Sequence, residues 1–101
     1  MRARLTAAAE NDLAGIYTYY AERSGAAADR VVGVILKAVR GLGRYPRMGK
    51  PGHYPDTREH FTTRYPYRIV YRIDESDGVV YVLRIMHGAQ QWPPDDVRSP
   101  W

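Results

Sequence analysis

Two runs of strand-forming residues, separated by a short polar turn, constrain this chain more than any other feature. Tyr65 to Ile73 is rich in aromatic and β-branched side chains, and Val79 to Met86 repeats that character. Between them stands Asp74-Glu75-Ser76-Asp77-Gly78. Short polar residues closed by a glycine suit a tight reversal, because glycine tolerates positive φ. Strands joined in this way pair with each other. The wider stretch from Arg58 to Trp92 therefore reads as consecutive strands of an antiparallel sheet.

Alternation assigns the faces. In the last strand Val79, Tyr81, Leu83, Ile85 and His87 share one side, and Val80, Val82, Arg84 and Met86 share the other. In the strand before it, Tyr67, Ile69, Tyr71 and Ile73 alternate with Pro66, Arg68, Val70 and Arg72. The arginine-free side is expected to be the core side. The other is expected to be a solvated face carrying arginines.

The preceding half of the chain supplies what covers that core side. Arg2 to Leu5 alternates like a short strand, and Thr6 is placed to cap a helix. From Ala7 to about Arg23, Leu13, Ile16, Tyr17 and Tyr20 recur at helical spacing. Glu10, Asp12 and Glu22 read as its solvated face. Ser24-Gly25 ends it. A second helix is expected from about Ala26 to Leu42, with Ala28, Val31, Val32, Ile35, Val39 and Leu42 inward and Gly33 allowing close contact with the first helix. Gly43 and Pro46 stop it. Residues 45–57, YPRMGKPGHYPDT, read as a loop. The expected architecture is α+β, in the order β-α-α-β-β-β, with a helical hairpin on one face of a mainly antiparallel sheet. One domain spans 1–93, and residues 94–101 form a polar, proline-rich tail.

At 101 residues a single domain with a modest core is expected. The chain has no cysteine, which removes thiol catalysis, disulfide scaffolding and cysteine–zinc sites. No apolar run approaches the roughly 20 residues of a membrane helix, so a cytoplasmic location is the default expectation. The net charge is +4, and the excess is local. Lys37, Arg40, Arg44, Arg47, Lys50, Arg58, Arg64 and Arg68 face only Asp56 and Glu59 in the same stretch. That imbalance implies an acidic partner, either nucleic acid or an acidic protein segment.

Little in the sequence points to chemistry. There is no phosphate-cradling glycine motif, no metal-ligand spacing and no nucleophile–base pair, so no metal or cofactor is expected. His53, His60 and His87 are scattered. Arg58, Arg64, Arg68, Arg72 and Arg84 can fork onto phosphates. With His87 as acid or base, such a group can cleave RNA without metal. Yet the alternation puts His87 on the core side, where a buried structural histidine is expected.

At these residues the chain resembles the RelE/ParE superfamily of toxins from type II toxin–antitoxin modules, and most of all its ParE-like, plasmid-stabilisation branch. The resemblance lies in Ala8–Leu13–Ile16–Tyr20, Ile35–Leu42–Pro46–Gly49, Arg58, the string Tyr65-Pro66-Tyr67-Arg68-Ile69-Val70-Tyr71, His87-Gly88-Ala89 and Trp92-Pro93. It implies the strand–helix–helix–three-strand fold and neutralisation by a small ParD-like antitoxin with an amphipathic C-terminal segment. ParE-like members act on DNA gyrase, and RelE-like members cut mRNA on the ribosome. Where many relatives carry Arg-Asp, this chain has Gln90-Gln91, and it lacks a lysine pair before Arg64. The resemblance therefore implies a gyrase inhibitor that acts by binding. Tyr17, Tyr20, Arg58, Arg68, Arg72, Arg84 and Trp92 are its expected contact residues. The alternatives are a ribosome-dependent RNase using Arg58, Arg64, Arg68, Arg84 and His87, or an inactive relative that only binds antitoxin.

Overall fold

The computed structural model describes residues 1–93; the tail expected at 94–101 lies outside them. Strand β1 (Arg2–Leu5) leads into helix α1 (Ala7–Ala21), and helix α2 (Gly25–Arg44) follows at once. Then come β2 (Lys50–Pro51), β3 (Arg58–Phe61), β4 (Tyr67–Asp74) and β5 (Val79–His87). The expected β-α-α-β-β-β order is present. A two-residue strand, β2, is added inside the stretch read as a loop.

Local chemistry starts both helices. The Thr6 hydroxyl accepts from the Ala9 N–H at 3.2 Å and donates to the Leu83 carbonyl at 3.1 Å. One residue thus caps α1 and ties it to β5. Ser24 caps α2 by accepting from the Ala27 N–H at 3.2 Å. At the tight turn, Asp74 accepts from the Asp77 N–H at 2.9 Å, and Gly78 adopts φ +65°. Glycine adopts that conformation at little cost.

The sheet order is β1-β5-β4-β3-β2. The outer β1 runs parallel to β5 and the other pairs are antiparallel. Both helices lie on one face. Ala9, Val31, Ile35, Val39 and Leu42 meet Tyr67, Ile69, Tyr71, Val80, Val82 and Ile85 there. Burying such aliphatic side chains contributes about 1.5–3 kcal/mol each before the entropy cost.

The face assignment in β5 needs correction. Val80 and Val82, expected on the arginine side, are in the core, whereas Tyr81 is on the opposite face and only half-buried. The cause is a bulge. Val70 pairs with Arg84 but Tyr71 pairs with Val82, so Leu83 is an extra residue in β5. One inserted residue reverses the side-chain phase on either side of it. Gly33 is also corrected: it is exposed, and a Cβ there would meet nothing within 4 Å. The close approaches occur instead at Gly43, Gly49, Gly52 and Gly88, where an added Cβ would lie 2.5–2.9 Å from backbone or side-chain atoms.

Candidate interaction site

Two grooves run where the helical hairpin meets the sheet. The first, about 470 Å³, lies between α1 and the end of β5 and is lined by Asn11, Asp12, Gly15, Ile16, Tyr19, Tyr67, Ile85, Met86, His87 and Gln90. The second, about 420 Å³, lies between α2 and β3. Val34, Ala38, Gly41 and Met48 give it an apolar floor, and Lys37, His60, Thr62, Thr63 and Arg64 give it a polar rim. Among the described residues no carboxylate lines this second groove. A third depression, about 650 Å³, lies at the sheet end beside the β4–β5 turn. There Arg47, Arg58 and Arg72 alternate with Asp56, Asp74 and Glu75.

The arginines do not form one platform, contrary to the sequence reading. Arg84 leaves the sheet face for α1. Its Nε and Nη2 donate to the two oxygens of Asp12 at 2.8 and 3.0 Å. Asp12 also accepts from the Ile85 N–H at 2.9 Å, so one carboxylate closes the edge of β5 beyond the end of β1. Asp12 is therefore not part of a solvated face; its side chain is 15% exposed. Its hydrogen bond raises the pKa of Arg84 further, against the opposing pull of partial burial.

Arg68 lies on the face away from the helices, 3.4 Å from Glu59 and 5.0 Å from the centre of the Phe61 ring. Glu59 is itself buried and accepts from the His53 N–H and the Trp92 indole N–H, each at 3.1 Å. Trp92 is thus fastened to the sheet, with its ring edge-on to Tyr54 at 5.5 Å. Arg72 stacks over Tyr81 at 4.7 Å and lies 3.5 Å from Asp74. Arg58 stands on the helix side, opposite Tyr71, and its guanidinium donates to the carbonyls of Gly49 and Arg47. Arg64 lines the α2–β3 groove.

The aromatic candidates also separate. Tyr20 packs on the core, and its hydroxyl accepts from the Tyr67 hydroxyl at 3.4 Å. Burial and that hydrogen bond push the Tyr67 pKa well above the usual phenol value of 10.0. Tyr17 is 42% exposed on the outer side of α1. His87 is exposed, not buried. It holds the core-side phase opposite Tyr67, but it sits past the end of the core at the mouth of the first groove. Its Nδ1 accepts from the Ala89 N–H at 3.0 Å, so the neutral ring carries its proton on Nε2.

His60 in the second groove titrates below its ordinary 6.5, because partial burial penalises the charged ring. The unfolded chain then binds the proton more readily than the folded one. Stability from this residue is complete above the unfolded value and declines as pH falls through it toward the folded one. Melting temperatures taken between pH 7.5 and 5 should therefore fall with acidification, and His60→Gln should flatten that profile.

A sequence model of the ParE toxin of the type II toxin–antitoxin system parDE matches residues 3–92. The chain belongs to the ParE toxin family. It is 41% identical over 92 residues to Y4kP of Sinorhizobium fredii, covering 91% of this chain and 93% of that one. The chromosomal ParDE system of P. aeruginosa superimposes with a TM-score of 0.75 at 27% identity, covering 86% of this chain and 95% of the other. The RelBE2 toxin–antitoxin complex of Mycobacterium tuberculosis gives 0.64 at 28% identity, covering 85% and 95%. The E. coli RelBE complex gives 0.67 at 17% identity, covering 89% and 98%, and shares the fold.

Of two residues that organise these surfaces, the sequence reading put Asp12 on a solvated face and gave Glu59 no structural role. Asp12 follows Ala9 by three residues and precedes Ile16 by four, so it lies on the buried stripe of a ParE-family α1. That spacing was the available signal. Glu59 carried none, because only the folded sheet brings Trp92, Arg68 and the His53 N–H around it.

Proposed function

We propose that this chain is a toxin that inhibits DNA gyrase by binding, and that an antitoxin segment seated in the α2–β3 groove neutralises it. The observation that carries this reading is how the arginines are used. Arg84 is bidentate to Asp12, Arg68 is paired with Glu59, and Arg58 is bonded to backbone carbonyls. Among the described residues, none of these guanidiniums lines the groove that holds His87, and neither does any lysine. A phosphate in flight needs cations and an acid–base group together. Around His87 they are apart.

The α2–β3 groove has the opposite character. Its apolar floor and its rim of Lys37 and Arg64, without carboxylates among the described residues, suit an acidic amphipathic segment. The family's ParDE relative and the RelBE2 relative are toxin–antitoxin systems, which supports such a partner. The direct test is supercoiling by purified gyrase with increasing toxin. Inhibition that is relieved by the antitoxin is expected, and full activity at saturating toxin would remove the reading.

The exposure of His87 beside Tyr19 and Tyr67 favours one competing reading, ribosome-dependent mRNA cleavage. Its test is mapping of mRNA ends in a translating extract. Toxin-dependent cuts that vanish in His87→Ala would establish it. Arg84→Ala is not a clean probe, because it also breaks the bond to α1.

A further inference from the structure

The outer face of α2 carries a ridge that neither groove uses as a whole. Ala26, Arg30, Gly33, Lys37, Arg40 and Arg44 are all exposed and follow at steps of four and three residues. That spacing places them along one side of the helix, opposite the buried Val31, Ile35 and Leu42. Four of the six are cations. No ion pair engages any of the four among the described residues. The nearest acid in the helix, Asp29, is turned about 100° from Arg30 around the axis. Arg30 and Arg44 lie 14 positions apart in the helix, about 21 Å.

We propose that this ridge binds the phosphate backbone of duplex DNA. A protein partner needs an apolar centre to gain affinity, and the ridge offers only Ala26 and Gly33. An anionic membrane takes a helix whose apolar side inserts, but the apolar side of α2 is spent in the core. The ridge shows no aromatic ring for stacking an unpaired base. A row of cations about 21 Å long matches about six base-pair steps of 3.4 Å, and a polyanion of that spacing needs nothing but charge. Gly33 leaves a gap between Arg30 and Lys37, where an added Cβ would meet nothing within 4 Å. The inference does not depend on gyrase being the target.

The test is fluorescence anisotropy of the full chain with a labelled 20-base-pair duplex. Binding is expected at 50 mM salt, with log K falling against log salt at a slope of about −3 to −4 for four phosphate contacts. The triple variant Arg30→Gln, Arg40→Gln, Arg44→Gln should bind more than about tenfold weaker and lose about three from that slope. Removing equal charge elsewhere, with Arg2→Gln, Arg4→Gln, Lys50→Gln, should change affinity by less than about threefold. Gly33→Glu and Gly33→Ala both favour the helix and should raise the melting temperature, yet only the glutamate should weaken DNA binding. Absent binding, equal loss in the two triple variants, or Gly33→Glu binding as before would overturn the proposal. So would tighter binding of polyglutamate or of phosphatidylserine vesicles at the same ionic strength.

Discussion

Tyr71→Ala is expected to lower the unfolding free energy by about 3–5 kcal/mol, the usual cost of emptying a large aromatic site. Tyr71 is fully buried at the middle of β4. The phenol also does a job that volume alone does not describe. Its hydroxyl donates to the Pro46 carbonyl at 2.6 Å and accepts from the buried Gly49 N–H at 2.9 Å. Residues 46–49 connect α2 to the edge of the sheet, so one side chain pins that connection to the core. Tyr71→Phe separates the two contributions. It keeps the ring but leaves a buried N–H without its acceptor, at about 1–3 kcal/mol. Gly49→Ala attacks the same joint from the other side, because a methyl there would lie 2.7 Å from the Tyr71 hydroxyl and 2.8 Å from the Glu59 carbonyl. Urea denaturation of the three variants gives the ranking. If Tyr71→Phe matches wild type, the pin is unimportant. Arg58 grips the Gly49 carbonyl, and Met48 floors the α2–β3 groove, so the loss should also reach binding of the antitoxin segment proposed there.

How much of this was legible depended on how local each cause was. The Thr6 cap, the helical stripes and the Asp74–Gly78 turn are set by residues within four positions of each other, and the sequence shows them, although Ser24, read as the end of the first helix, caps the second. With those elements placed, the α+β architecture followed. The phase of β5 did not, because the bulge at Leu83 leaves no trace in alternation. A run of Val79 to Met86 is apolar enough on both sides to fit either phase. The arginines misled for a related reason. Arg68, Arg72 and Arg84 look equivalent in a strand pattern, yet each found a different acid: Glu59, Asp74 and Asp12. Glu59 and Asp12 come from other elements, and only tertiary structure supplies them. The resemblance named the family that the match over residues 3–92 shows, but it did not reveal that most of the chosen arginines are already engaged.

Asp12 gives that last point a measurable consequence. Truncating one member of a buried ion pair costs about 3–5 kcal/mol, because the other charge is left in a poor solvent. Here the side chains retain 15% and 25% exposure, so water recovers part of the loss and Asp12→Ala should cost about 2–3 kcal/mol. In a domain of this size that is roughly 10–20 °C in melting temperature. Asp12→Asn should cost less, since an amide oxygen still accepts from the Ile85 N–H while the charge on Arg84 goes unmatched. Arg84→Ala should be milder than Asp12→Ala, because it leaves the carboxylate bonded to the Ile85 N–H. A double-mutant cycle over Asp12 and Arg84 then isolates the pair, and a coupling near zero would show that the edge bond to Ile85 carries the whole effect. The same carboxylate fixes where α1 lies against β5. Asn11, Gly15, Ile16 and Tyr19 reach the His87 groove from that helix, so a loosened α1 should widen it. Any change in toxicity from Arg84 variants must therefore be read beside their melting curves: a defect that scales with lost stability belongs to the helix contact, not to a phosphate held by the guanidinium.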